Sequence, residues 1–175
     1  MTALLLAYHD VLDYDGLKSI LKEANMLFLK DIKNINPDDT LDFFSFKKII
    51  AAQNILLYMS ENILKAIGRK FSFYLFPFGK DFDEIVREIN DLIKTDWRVE
   101  ILNRTEEQID VRVEKCIFCS EIGDPCDLMK GFLIHSLEKT LPSNIKVTSR
   151  LIKIDANDPH HNSFDMKLVL SQIKH

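Results

Sequence analysis

The sequence contains few of the residues and segments that mark linkers, membrane anchors and disulfide frameworks. Its 175 residues include five glycines, five prolines and three cysteines, with no internal repeat, low-complexity tract or Pro/Gly/Ser-rich linker. No apolar run approaches the roughly 20 residues that cross a membrane as a helix. The apolar stretch at residues 3–7 is very short and follows no Lys or Arg, so a signal peptide is not expected. These absences favour a single domain over residues 1–175 in a cytoplasmic protein.

Blocks of one charge sign and common catalytic motifs are also lacking. The chain has 27 acidic and 23 basic residues, a formal net charge of −4, and no cluster of like charge. Non-specific nucleic-acid binding requires a cationic surface, so no nucleic-acid partner is predicted. The sequence has no Gly-rich phosphate loop, no nucleophile elbow and no His-Glu-x-x-His motif, and we therefore assign no catalytic residue. This lack leans against an enzyme without deciding the question.

Apolar spacing predicts a helical half over about residues 13–94. Asp15 is predicted to cap a helix whose apolar residues recur at i, i+3, i+4 and i+7. A long second helix is predicted from about 42 to 67, with Gly68 as its terminator. It is apolar on nearly all sides, which indicates burial or a subunit interface. After an aromatic connector at 71–79, a third helix is predicted from the stripe Phe82, Ile85, Val86, Ile89, Leu92 and Ile93.

The apolar period then changes from 3.6 to 2 in the second half, about residues 97–171. Alternating residues predict one β-hairpin within 97–113 and another within 145–170, with a bulge where the apolar phase changes in the third strand. A helix is predicted between them, from about 125 to 141. The fold class is therefore α+β, with helices packed on a four-stranded antiparallel sheet built from two hairpins flanking one helix.

Three clustered cysteines carry the most distinctive chemistry in the chain. Cys116 and Cys119 form a Cys-x-x-Cys pair that a tight turn can bring to one tetrahedral centre, and Cys126 lies at a predicted helix N-terminus that favours a thiolate. His160 and His161, in the turn of the second hairpin, are candidates for a fourth ligand. Three Cys and one His compose an ordinary zinc site, so zinc is the predicted cofactor. Packed thiols and a redox dithiol are the alternatives, although the βαβ context of thioredoxin-type sites is absent.

An aromatic run between the second and third helices is a candidate ligand pocket. Apolar pockets are lined by aromatic side chains with few polar groups. The residues are Phe71, Phe73, Tyr74, Phe76 and Phe78. Core packing is the alternative role for this run.

From about residue 15 to 171, the order of elements resembles the 4-vinyl reductase (4VR) domain family of predicted hydrocarbon-binding proteins. Cys126 followed by Gly131 and Phe132 is similar to that family's Cys-x4-Gly at the head of its last helix, and the final hairpin carries Asn162-Ser163-Phe164 near the family's Cys and aromatic position. The resemblance implies the fold of the TRAPP tethering subunits, commonly a homodimer. Related domains in transcriptional regulators hold an aromatic effector beside a structural zinc.

The resemblance implies a domain that binds an apolar or aromatic small molecule beside structural zinc, in a sensory or carrier role. Of the family's zinc ligands only Cys126 matches, because the hairpin offers His160 and His161 where the family has a Glu and two Cys. His135 occupies the position at which the family has a second glycine in this same helix. An accessory protein or enzyme of tetrapyrrole or cofactor metabolism, and a protein–protein interaction module, are the alternative functions.

Overall fold

A computed structural model describes residues 2–31, 41–77, 79–119, 126–155, 158 and 162–173. The predicted α+β class is confirmed: helices pack on a four-stranded antiparallel sheet of order β1-β2-β4-β3. The helices are α1 (Thr2–Glu23), α2 (Phe43–Leu56), α3 (Glu61–Leu75), α4 (Phe82–Leu92) and α5 (Asp127–Glu138), with a 3₁₀ turn at Leu27–Lys30. The strands are β1 (Arg98–Arg104), β2 (Gln108–Glu114), β3 (Ile145–Ile154) and β4 (Phe164–Gln172). No described helix is long and apolar enough to cross a membrane.

The first helix begins earlier than the sequence pattern predicts. It starts at Thr2 and is kinked at Asp13, which has a φ of 60°. The Asp13 carboxylate accepts hydrogen bonds from the backbone N–H of Asp15 (2.9 Å) and of Gly16 (3.2 Å), so the cap lies two residues before the predicted one. The segment before the kink is helical because it buries an apolar face of its own, formed by Leu4, Leu5, Ala7 and Tyr8.

The long helix predicted from about 42 to 67 is two helices, α2 and α3. The chain turns between them over residues 57–60, where Met59 has a φ of 59° and the Ser60 N–H donates to the Leu57 carbonyl (2.9 Å). Gly68 does not end a helix, because α3 continues to Leu75 and takes in the first half of the predicted connector. A continuous apolar pattern conceals such a break, since both helices bury apolar residues.

Gly68 lies inside α3 because α5 crosses it at backbone contact. A Cβ at Gly68 would lie 1.9 Å from the carbonyl oxygen of Leu128, and a Cβ at Gly131 would lie 2.1 Å from that of Lys65. The two glycines therefore permit the close approach of α3 and α5. The hydroxyls of Ser72 and Ser136 hydrogen-bond within this contact (2.8 Å, both buried).

The sheet covers the other side of α5 and positions the loop that carries the cysteines. The central strands β2 and β4 turn Ile109, Val111, Val113, Phe164, Met166 and Leu168 into the core. The predicted bulge in β3 is confirmed by a register shift between Leu151 and Lys153. The predicted stripe of α4 is buried at Phe82, Ile85, Val86 and Ile89, while Leu92 at its end is exposed.

Candidate functional site

Three buried cysteines converge where β2 ends and α5 begins. Cys116 and Cys119 lie in the turn after β2, and Cys126 is the residue that caps the start of α5. Their sulfur atoms all lie within 4.8 Å of one another. The three residues are 0%, 5% and 7% exposed, and no disulfide joins them. The convergence of three thiols that the spacing predicts is therefore present.

The turn that carries the first two cysteines is fixed to the last hairpin. Lys115 has a φ of 48°, which turns the chain sharply after β2. The Lys115 N–H donates to Ser163 Oγ (3.0 Å), and the Cys116 N–H donates to the carbonyl of Asn162 (2.9 Å). The turn after β2 therefore meets the segment just before β4 beside the cysteines.

The predicted fourth ligands, His160 and His161, lie outside the described residues. Within the described part of the chain, the three cysteines are the one group of Cys, His, Asp or Glu side chains whose ligand atoms come this close together. The assignment of all five residues as metal ligands stays a prediction.

Electrostatics inside the cluster favours a single thiolate. Burial disfavours ionisation of Cys116, but hydrogen bonds from the thiols of Cys119 and Cys126 and from the backbone N–H of Phe118 lower its pKa well below the ordinary value. The hydrogen bond with Cys116 raises the pKa of Cys119, and burial raises that of Cys126. The first proton therefore leaves the cluster easily, whereas the second and third are held.

A small cavity opens over two of the thiols. It has a volume of about 90 Å³, and Cys119 and Cys126 form part of its lining together with Phe118. The remaining walls come from the end of α2, the turn at residues 57–60 and the first turns of α3 and α5. Leu57, Leu64, Leu128 and Met59 add apolar surface to the wall, and Glu61 and Asp127 add carboxylates.

Two side-chain amides and one phenol form a hydrogen-bonded row of polar groups beside this cavity. The buried Tyr8 hydroxyl donates to Gln53 Oε1 (2.8 Å), and Gln53 Nε2 donates to Asn54 Oδ1 (2.9 Å). Burial raises the pKa of Tyr8, and ionisation of Cys126 would raise it further, so the phenol stays protonated. Asn54 Nδ2 is buried with no hydrogen-bond partner among the described residues. Sequence reasoning missed Gln53 and Asn54, although two adjacent amides in an apolar helix were a visible signal.

The predicted aromatic pocket residues lie on and just after α3. Phe71 and Phe76 are buried, and the Phe71 ring lies 5.6 Å from Phe118 and 5.4 Å from Phe132. Phe73 is exposed and contacts the Tyr74 ring at 5.3 Å, and Phe78 is outside the described residues. None of the described four lines the cavity over the thiols, and their role in ligand binding stays a prediction.

Phe118 anchors the cysteine loop, and sequence reasoning missed it. Its ring lies between those of Phe46 (5.7 Å), Phe71 (5.6 Å) and Trp97 (5.9 Å), all near edge-to-face. Such packing stabilises the ring beyond its buried area. The side chain between Cys116 and Cys119 therefore holds both thiols in place.

Comparison with known proteins gives a fold but no family. No family model and no curated protein matches the sequence. One similar solved structure is of a protein studied for the mechanism of H-NOX activation, with a TM-score of 0.62 and 14% identity over 99% of this chain and 96% of that chain. A second is of a haem protein with a distorted porphyrin, with a TM-score of 0.61 and 14% identity over 99% of this chain and 94% of that chain. A third is the oxygen complex of an oxygen-binding H-NOX domain related to soluble guanylate cyclases, with the same TM-score, identity and coverages as the second.

These neighbours correct two of the sequence-based predictions. The resemblance to 4-vinyl reductase domains is wrong, because similar structures that share the fold over nearly the whole chain are H-NOX domains. The loose Cys-x4-Gly match reflects a close helix crossing at Gly131, a packing requirement that does not depend on family. The prediction of zinc as cofactor is contradicted as well, since the cofactor named for the neighbours is haem. At this identity the likeness concerns the backbone alone: the chain has the fold of H-NOX domains.

Proposed function

We propose that this chain is a small-molecule-binding sensory domain whose ligand occupies the cavity over Cys119 and Cys126. The observation that carries the proposal is that cavity, which places thiols, an unpartnered amide and apolar walls around one small space. The fold supports it, because a structural neighbour is an oxygen-binding domain captured as its oxygen complex. Small concave sites with a few polar groups are the usual form of ligand sites.

Haem does not fit the described residues. A cofactor of that size needs a largely apolar cavity of several hundred Å³ and an axial His, Cys, Met or Tyr. The cavity beside the thiols has about 90 Å³. The larger hollows, of about 490 to 650 Å³, are surface grooves with charged residues in their walls, such as Arg112 and Asp165.

Neither Tyr8 nor the two described histidines line a haem-sized apolar cavity. Tyr8 donates its hydroxyl to Gln53. The ring nitrogens of His135 are buried, and His135 lines none of the described cavities. His9 is exposed on α1.

The cavity also limits the ligand to a few heavy atoms. An engineered protein cavity of about 150 Å³ holds benzene, whereas this one has about 90 Å³. The aromatic or hydrocarbon ligand that the sequence predicted is therefore too large for it. A diatomic gas or a peroxide is of the right size. Because the turn at residues 57–60 forms one wall of the cavity, a bound ligand would contact the junction of α2 and α3 directly.

A second copy of the chain is the partner we propose for the outer face of α2, which carries exposed Phe43, Phe44 and Ile55. The predicted alternatives, an enzyme of cofactor metabolism and a pure interaction module, gain no specific support from the described side chains.

Xenon is a suitable probe of the cavity because it binds apolar protein voids. Under xenon pressure, methyl NMR signals of Leu57, Leu64 and Leu128 should shift. Leu64→Phe, which fills the cavity, should abolish the shifts, and Leu92→Phe, at an exposed site on α4, should preserve them. Shifts confined to other regions would contradict the proposal.

Titration of the protein with hemin should give no shift of the Soret band that saturates at one haem per chain. A one-to-one complex would contradict the exclusion of haem.

A further inference from the structure

We propose that Cys116 and Cys119 form a reversible disulfide when a small hydroperoxide enters the cavity, with Cys126 remaining a thiol. This inference rests on the proposed ligand site and names its ligand class. It assigns a redox site to residues that the sequence predicts as metal ligands.

The first step of the argument is access. Cys119 and Cys126 are part of the cavity lining, whereas Cys116 is completely buried behind them. A water molecule needs about 10–15 Å³ of cavity volume, so a cavity of about 90 Å³ admits hydrogen peroxide together with the solvent it displaces. Asn54, which also lines the cavity, has a buried N–H group with no partner in the described structure. That group is a donor for a peroxide oxygen.

The second step is the proximity of the sulfurs. All three lie within 4.8 Å of one another, and a disulfide requires about 2.05 Å between two of them. A shift of a few Å in one short turn closes that gap. Free thiols that are only packed in a core need no such convergence.

The third step is the choice of pair. Cys126 begins α5, and its carbonyl accepts the N–H of Lys130 (3.0 Å), so its backbone is held by the helix. Cys116 and Cys119 share a turn outside regular structure, entered through the left-handed residue Lys115. A disulfide between these two residues leaves the backbone of α5 in place, whereas one with Cys126 would displace the first turn of that helix, so the pair forms within the turn. Cys126 then supplies a hydrogen bond to the pair from a fixed position.

The chemistry balances with hydrogen peroxide as the oxidant. The Cys119 sulfur attacks one peroxide oxygen while the thiol proton passes to the other. The O–O bond breaks and water leaves, which gives a sulfenic acid on Cys119. The Cys116 sulfur then attacks the Cys119 sulfur, and the second oxygen leaves as water with the Cys116 proton. The sum is two thiols and one peroxide giving one disulfide and two waters. A dithiol reductant reverses the change.

Counting thiols tests the proposal on the full chain. The reduced protein is treated with hydrogen peroxide, denatured, alkylated and weighed intact. Three alkyl groups are expected before oxidation and one afterwards, with all three restored by dithiothreitol. The oxidised Cys126→Ser protein should also lose two alkylation sites, whereas Cys116→Ser and Cys119→Ser should form no disulfide. Three alkyl groups after peroxide, or a disulfide in Cys116→Ser, would overturn the assignment.

Two further measurements separate this inference from the proposed ligand site. Leu64→Phe should slow the oxidation about tenfold, an added barrier of about 1.4 kcal/mol, and Leu92→Phe should leave it unchanged. Equal rates in the two variants would contradict the cavity as the ligand site. Xenon binding without any disulfide would contradict the thiol chemistry alone. A metal adduct in the native mass that blocks both alkylation and oxidation would overturn the redox assignment in favour of ligation.

Discussion

At the scale of single residues, His135 is a half-buried base with a lowered pKa. Both ring nitrogens are buried and have no hydrogen-bond partner among the described residues. Burial lowers the pKa of His135, and the cations Arg69, Lys139 and Lys70 lower it further, against a smaller opposing effect of Glu138. The histidine is therefore neutral in the folded protein at neutral pH. Its protonation opposes folding.

The expected consequence is a loss of stability on acidification. Because the folded pKa lies below the unfolded value of about 6.5, the unfolded chain binds more protons as the pH falls through that value, and the free energy of unfolding decreases. Urea unfolding between about pH 7.5 and 5.5 should show this slope in the wild type. His135→Gln and His135→Phe, neither of which titrates, should both reduce it. An unchanged slope in both variants would show that other groups cause it.

Residue spacing predicts only part of the site. Cys-x-x-Cys followed by a third cysteine was enough to predict three converging thiols, because short turns restrict where their sulfurs can lie. Gln53 and Asn54 were not predicted, since their place beside the thiols depends on how α2 ends and turns. The sequence also did not show whether the cysteines bind a metal or undergo oxidation, because oxidation depends on a cavity through which an oxidant reaches the thiols.

At the scale of elements, the crossing of α3 and α5 depends on two glycines. Because a Cβ at Gly131 or Gly68 would meet backbone carbonyls at 2.1 and 1.9 Å, the helices must separate to accept alanine. We expect Gly131→Ala and Gly68→Ala each to lower the free energy of unfolding by about 3 kcal/mol, measured by urea denaturation. Gly79 is the matched control: its φ is 66°, and a Cβ there would have no neighbouring atom within 4 Å. Gly79→Ala should cost only about 1 kcal/mol, and equal losses at the three sites would contradict the crossing.

Gly68 also explains one place where the prediction of elements failed. Sequence patterns predicted α4, the hairpins and the β3 bulge, because each buries one face against the core and shows a clear period. Gly68 was interpreted as a terminator because glycine commonly follows a helix end. Its true role, contact with the backbone of α5, involves a residue about sixty positions away and leaves no local signal.

At the scale of the whole molecule, the sheet order β1-β2-β4-β3 sets the site. This order places β2 beside β4, so the turn after β2 lies next to the segment that leads into β4. The start of the cysteine loop is hydrogen-bonded to that segment. The order of two hairpins flanking a helix predicted the sheet, but a loose Cys-x4-Gly motif could not indicate which known proteins share the fold. Several families pack helices on such a sheet with a similar apolar core, so only the course of the backbone distinguishes them.

The whole molecule also presents an apolar face for a second copy. Phe44 and Ile55 are 71% and 62% exposed, three turns apart on α2, and Tyr58 and Met59 continue the face at 58% and 86%. With Phe43 (50% exposed), these side chains offer roughly 600 Å². That area approaches the ~800 Å² per partner of a standard interface. It is also at the upper end of the largest apolar patch found on typical monomers, about 300–600 Å², and such patches are often interaction sites.

We therefore expect the protein to form a dimer that depends on this face. Phe44→Glu and Ile55→Lys should each shift sedimentation towards the monomer, because a charge buried at an apolar contact is costly. Leu92→Lys, at a residue 59% exposed on α4, is the matched control and should not. A wild type that stays monomeric at all accessible concentrations would contradict the prediction. Since Tyr58 and Met59 also line the cavity over the thiols, oxidation of the cluster should alter the dimer affinity, which links the redox site to a change in assembly.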